Sequence, residues 1–197
     1  MSRALALGLV LLALLPLAAA GHEAPVAVSK TDCATVTTVG PVLAGLRTVC
    51  AIANASYDVA CRKDPGDVLV CDLTASVGGG GSSGDLGLPG VYSWRGVVRS
   101  TWCDAFLCEA RDTIEEDKGS WAAAAPGGVN RDERNHGFTN HFETKANAAN
   151  PCILYDADAF ADTYTYTPGT DAHGSTVFVW AKHASVETPQ AVDRFCL

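Results

Sequence analysis

Beyond its first 20 residues the chain has no long apolar run, and a helical membrane span needs roughly 20 apolar residues. The strongest later segment, Thr176–Ala181, is short and is followed at once by Lys182 and His183. The C-terminal Asp193–Leu197 stretch has no apolar tail of the kind a lipid-anchored precursor carries. Basic residues are also scarce, 14 Lys and Arg against 22 Asp and Glu. Such an acidic chain repels phosphate backbones, so no nucleic-acid partner is expected. No C-x-x-C occurs, which excludes a thioredoxin-type motif and a paired zinc knuckle. The D-x-[DN]-x-[DN]-G order of a calcium loop is absent too.

What is present begins with an export signature. Met1–Arg3 give a short basic start, Ala4–Leu17 an apolar stretch, and Ala18–Ala20 a small-residue cleavage site, the layout of a secretory signal peptide. Arg3 is the only charged residue lost with it, leaving 13 basic and 22 acidic residues, a net charge of −9. All eight cysteines (Cys33, Cys50, Cys61, Cys71, Cys103, Cys108, Cys152 and Cys196) follow this signal. An even number of cysteines in an exported chain reads as a disulfide framework in an oxidising compartment. Their density is below that of a scaffold held by disulfides alone, and the apolar content suffices for a core. The bridges therefore reinforce a packed fold. The expected localisation is secreted, with no stable membrane insertion after cleavage.

The pattern inside residues 21–197 is mainly that of strands. Asp67–Val77 alternates apolar Leu69, Cys71, Leu73, Ala75 and Val77 with other residues. Val91–Trp102 places Tyr92, Trp94, Val98 and Trp102 on one face and Arg95 and Arg99 on the other. Cys152–Tyr155 is a short candidate strand. Thr163–Thr167 and Thr176–His183 flank Pro168–Gly174 and predict a hairpin with a seven-residue loop. Tyr164 and Tyr166 alternate with threonines there, and the aromatic face is assigned to the core, with sugar or peptide stacking as its other use. Helical stripes are fewer. Cys103, Phe106, Leu107, Ala110 and Ile114 fit one helix ending near Gly119, and Pro41–Ala53 fits another. On such a helix the sulfurs of Cys103 and Cys108 lie about 140 degrees apart, so these two are expected to bridge to other elements. Cys196 is expected to anchor the C-terminus.

Gly78–Gly90 reads Gly-Gly-Gly-Gly-Ser-Ser-Gly-Asp-Leu-Gly-Leu-Pro-Gly and predicts a surface loop. It divides the cysteines four and four, but a first half that short is not expected to fold alone. The tract also matches G-x-S-x-G and G-x-G-x-x-G. Both motifs need a helix directly behind them, and Asp85–Gly90 cannot form one.

Candidate chemistry centres on His136, His141 and Glu143, with Asp132 as a further carboxylate. Imidazole with carboxylate suits acid–base work or a metal ion. A spacing of five sets the two histidines on opposite faces of a strand, so they converge only if a loop turns at Gly137. A solvent-exposed polar loop is the plainer expectation. The acidic residues Glu109, Asp112, Glu115, Glu116 and Asp117 read as the wet side of the helix after Cys103, and Asp156, Asp158 and Asp162 as an acidic loop. Asn54-Ala55-Ser56 is an N-glycosylation sequon, which predicts an exposed loop at 54–56.

The fold class expected is mainly β, with α+β as the alternative: a disulfide-stabilised β-sandwich or open barrel with one or two short helices. Residues 1–20 form the signal and 21–197 one secreted β-rich domain. No cofactor is implied. The expected function is a secreted binding or interaction module for an extracellular protein, peptide or glycan. The alternatives are a small hydrolase-like enzyme, or a metal-binding protein using the histidines of 136–141.

Overall fold

The computed structural model describes residues 25–38, 45–84, 88–103, 108–123, 126–144 and 152–196. The signal at 1–20 lies outside them. Nine strands follow in order: β1 (Val26–Thr38), β2 (Gly45–Asp64), β3 (Val68–Ser83), β4 (Gly90–Cys103), β5 (Cys108–Trp121), β6 (Asn130–Glu143), β7 (Cys152–Thr170), β8 (Thr176–Glu187) and β9 (Ala191–Cys196). All pairings are antiparallel. One sheet runs β1-β2-β3-β6; the other runs β5-β4-β7-β8, with β9 also paired to β7. The two sheets pack face to face around one hydrophobic core, the disulfide-stabilised β-sandwich architecture expected from the alternation.

Alternation decides which side chains reach that core. In β2, Val49, Ala51, Ala53, Ala55, Tyr57 and Val59 point inward; in β3, Leu69, Cys71, Leu73, Ala75 and Val77 do so. The facing sheet contributes Tyr92, Trp94 and Val98 from β4, and Ile153, Tyr155, Ala157, Ala159 and Ala161 from β7. Tyr57 and Tyr155 meet edge to face with ring centroids 5.2 Å apart, a favoured geometry for aromatic rings.

The predicted helices are absent among the described residues. Gly45–Ala53 belongs to β2, where Val49, Ala51 and Ala53 alternate into the core; residues 41–44 lie outside the described set. The stretch from Cys108 is β5, an edge strand whose backbone pairs along the whole of β4. Helix propensity is a weak preference that tertiary pairing overrides. Ile114, assigned to a buried helical stripe, stands half exposed on the outside of the sheet.

The predicted loop at 78–90 needs a similar correction. Gly78 to Ser83 continue β3, and only residues 84–89 separate β3 from β4. The glycines are explained by packing. A Cβ on Gly79 would collide with Trp94, and one on Gly81 with Trp121, so this tract is the flat bed on which two tryptophans lie. The indole N–H of Trp121 donates to Ser83 Oγ at 3.1 Å and to the Leu88 carbonyl at 2.9 Å. Those bonds fasten the crossing from one sheet to the other.

All eight cysteines are paired: Cys33–Cys50, Cys61–Cys71, Cys103–Cys108 and Cys152–Cys196. Each bridge joins residues that are direct register partners on neighbouring strands. The expectation that Cys103 and Cys108 bridge elsewhere fails because the helix it assumed is a β-hairpin. No disulfide crosses between the sheets, so the core and the polar contacts at the edges hold the two layers together.

Candidate functional site

His136, His141 and Glu143 all lie on β6, the edge strand of the first sheet, and not in a loop. Strand parity sends His136 inward and His141 and Glu143 outward. The His136 ring meets Trp94 edge to face at 5.3 Å. Its Nδ1 stands 3.4 Å from Glu115 and its Nε2 3.7 Å from Asp117, both on β5 of the other sheet. His141 Nδ1 lies 2.7 Å from Asp72 Oδ1 on the outer face. That hydrogen bond, with help from Arg62, holds the Asp72 carboxyl below its ordinary value. Glu143 is exposed beyond it. The sheet therefore separates the two histidines, and they do not form one site. Among the described residues no three His, Cys, Asp or Glu side chains converge as metal ligands.

The inward residues of β6 instead knit its edge to β4 and β5. Tyr92 donates its hydroxyl to Asp132 at 2.7 Å, and burial followed by this bond pushes the phenol well above its ordinary range. Arg134 donates to Asp117 at 3.2 Å, and Arg111 to Asn140 at 3.2 Å. The Asp117 carboxyl is held low by the Lys118 backbone N–H and then by Arg134. The acidic run at 109–117, predicted as a helix face, is thus an edge strand. Its charges supply this seam and discourage further edge pairing.

The predicted acidic loop at 156–162 is part of β7. Asp156 and Asp158 accept from one Arg99 nitrogen at 2.7 and 2.8 Å on the outer face of the second sheet. The Asp156 bond is the main reason the Arg99 guanidinium is held more basic than usual. Asn54 is likewise within β2, half-buried beside a buried Ala55, and not in the exposed loop its sequon predicts.

The aromatic residues that escape the core gather on this same outer face. Strand parity puts Phe160, Asp162, Tyr164 and Tyr166 outward, while Ala161, Thr163 and Thr165 fill the inside. The assignment of Tyr164 and Tyr166 to the core is thereby reversed: small residues occupy the inner positions because Trp94 and Trp121 already fill that space. Tyr166 packs on Trp180 of β8 with centroids 3.9 Å apart, and both rings remain nearly half exposed. Lys182 reaches across to Asp162 at 2.6 Å and lies 5.5 Å above the Phe160 ring. Tyr164 donates its hydroxyl to the other Asp162 oxygen at 3.3 Å. Asp162 is only 8% exposed, which makes it a fixed polar floor among the rings.

Beside this floor lie two shallow concavities. One, of about 530 Å³, is lined by residues including Val91, Ser93, Lys118 and Tyr164. The other, of about 670 Å³, includes Ser93, Arg95, Glu116, Lys118 and Phe160. Ser93 pairs with Lys118 on one side and Asp162 on the other, so the sheet register builds a polar track between aromatic walls. Phe160 and Trp180 were not singled out from the sequence. A usable signal existed: Asp156, Asp158 and Asp162 share strand parity with Tyr164 and Tyr166, and repeated carboxylates mark a wet face.

No protein-family model matches the chain, and no curated protein matches it. Four disulfides, and the lack of any helix among the described residues long and apolar enough to cross a membrane, are compatible with an exported protein.

Proposed function

We propose that this protein is a secreted, disulfide-stabilised binding module whose ligand is an uncharged glycan chain, held on the outer face of the second sheet. The observation that carries this reading is the exposure of Phe160, Tyr166 and Trp180 on one sheet face, in a protein that buries Tyr92, Trp94 and Trp121. Exposed flat rings offer apolar faces to the C–H surfaces of sugars, and the polar groups between them offer hydrogen bonds to hydroxyls. The Asp162 carboxylate, the Lys182 ammonium and the Tyr164 hydroxyl form such an array already assembled. Lys182 is matched by Asp162 and Arg95 by Glu116, at 3.4 Å, so this face offers little net charge to select an ionic ligand. Its open, shallow shape suits a chain lying along the strands.

The test is titration of the purified protein with soluble β-glucan, mannan, xylan and chitin oligosaccharides, followed by calorimetry and tryptophan fluorescence. The expected result is saturable binding of at least one of them. A Tyr166→Ala/Trp180→Ala protein should bind about tenfold or more weakly, a loss of about 1.4 kcal/mol. Absence of binding by every glycan, or full binding by the double variant, overturns the reading. If a peptide library binds in a Trp180-dependent manner and glycans do not, the face is a peptide site and the glycan assignment fails.

A further inference from the structure

The strand register places two disulfides in one line. Cys103 is the register partner of Cys108 on β5 and of Cys152 on β7, and Cys152 is in turn the partner of Cys196 on β9. Four cysteines therefore form an unbroken row, Cys108, Cys103, Cys152, Cys196, across four adjacent strands at one end of the sheet. The row is joined at its ends, Cys108 to Cys103 and Cys152 to Cys196. The central neighbours, Cys103 and Cys152, belong to different bridges.

Pairing geometry makes the central bond accessible. Both existing bridges have Cα atoms 4.1 Å apart, close to the spacing of a non-hydrogen-bonded antiparallel pair. The two kinds of pair alternate across a strand, so Cys103 and Cys152 face each other as a hydrogen-bonded pair, with Cα atoms about 5.5 Å apart. That spacing falls in the commonest range for disulfides. Exposure follows the same order: Cys108 and Cys196 are exposed, while Cys103 and Cys152 are half-buried. The Arg194 guanidinium sits on the row, with Nε 3.2 Å from Cys196 Sγ and Nη2 3.5 Å from Cys152 Sγ. A positive charge there favours a thiolate. The contrast is Cys61–Cys71, which is closed inside the core.

From this arrangement we infer that the row is a thiol–disulfide exchange site for a low-molecular-weight thiol, in which the clasp moves from the two ends of the row to its centre. The incoming thiolate bonds to the exposed Cys196 sulfur, and Cys152 leaves as a thiolate beside Arg194. Cys152 then attacks Cys103; the Cys103–Cys108 bond breaks, and Cys108 leaves and takes a proton from water. A second thiol resolves the mixed disulfide on Cys196. Two external thiols have become one external disulfide, and the protein has gained the Cys103–Cys152 bond and two thiols, Cys108 and Cys196. The exchange ties β4 to β7 and unclasps the strands on either side, β5 and β9. It does not depend on the glycan reading.

The experiment treats the oxidised, folded protein with graded reduced glutathione, quenches in acid, alkylates free thiols with N-ethylmaleimide and maps tryptic peptides by mass spectrometry. Cleavage after Arg99, Arg111, Lys145, Lys182 and Arg194 puts Cys103 with Cys108 in one peptide, Cys152 in a second and Cys196 in a third. The expected product links the first peptide to the second, with Cys108 and Cys196 alkylated. Arg194→Gln should slow its appearance several-fold, with reduction of Cys33–Cys50 unchanged. A Cys108→Ser/Cys196→Ser protein should oxidise in air to a Cys103–Cys152 bond. The inference is overturned if the two bridges only open pairwise, with no Cys103–Cys152 product at any glutathione level. It is equally overturned if the folded double variant keeps Cys103 and Cys152 as free thiols.

Discussion

The two sheets share one core but turn different surfaces to solvent. Outside the β1-β2-β3-β6 sheet, the outward positions carry Ser29, Thr31, Asn54, Ser56, Thr74, Ser76 and Thr139, with the His141–Asp72 pair near one end. Outside the β5-β4-β7-β8 sheet lie the aromatic rings around Asp162, the Arg99 ion pairs, and a row of four cysteines. The first surface is mostly small polar groups, with the buried Ile52 and Val70 and the exposed Arg62–Asp72–His141 contacts among them. The second has half-buried charges and rings that touch one another. The binding face proposed above belongs to the second sheet, whose outer side chains are fixed by their neighbours.

Tryptophan substitution should divide inside from outside most sharply. Trp94→Ala removes a ring that is 2% exposed and should cost about 3–5 kcal/mol. Trp180→Ala should change stability by no more than about 0.5 kcal/mol, as an exposed position does. Urea midpoints of the two proteins check this, and equal losses would erase the distinction between core and platform.

A smaller effect is expected for Gly79→Val. Trp94 and Ala161 already stand where a new side chain must go, so overpacking should cost about 1–3 kcal/mol. Ser76→Val, outward on the same strand, should be near neutral. Similar losses at both positions would show that the glycine tract is a chain-flexibility feature and not a bed for the tryptophans.

The ion pairs allow a finer comparison. Arg99 and its aspartates are partly buried, with side-chain exposures of 37%, 14% and 22%, whereas the Arg62–Asp72 pair is more than half exposed on both sides. Arg99→Ala should lower stability by about 1 kcal/mol, in the upper part of the range for exposed pairs. Arg62→Ala should fall within a few tenths, and 1 M salt should shrink its effect further.

The least effect should come from pH. His183 lies at the β-bulge where β7 and β8 shift register, and its Nε2 is buried without a hydrogen-bond partner among the described residues. Burial holds its imidazole below the ordinary 6.5. The unfolded chain therefore takes up the proton first as pH falls. Stability is fully present above about 6.5 and declines as pH drops from there toward the folded value. His183→Phe should flatten that part of the stability–pH curve. An unchanged slope in chemical denaturation at several pH values would mean the ring is as solvated folded as unfolded.

How far these features could be read beforehand depended on the range of the interaction behind each. Alternation in Val91–Trp102 gave β4 nearly to its ends, and alternation in Asp67–Val77 gave β3 as far as Val77 but not its Gly78–Ser83 end, because burial of one strand face imprints directly on neighbouring residues only where side chains alternate. Cys108–Trp121 looked helical because its charges and apolar residues also fit a helical period, and only pairing with β4 settles the matter. Glycines 78–81 looked like a loop because the tryptophans they accommodate lie far along the chain. Tyr164 and Tyr166 were seen as an alternating aromatic face, but which side of the sheet was wet depended on the partner layer.

What the sequence by itself determined is the local part: a β-rich chain with an export-type start and cysteines in even number, whose strands have one apolar face. Composition and period suffice for that, since they act over a few residues. Tertiary structure alone decided which cysteines meet, which face of β7 holds the tyrosines, and that His136 and His141 stand on opposite sides of β6. Those outcomes follow from register and layer packing, where a shift of one residue turns every side chain to the other face.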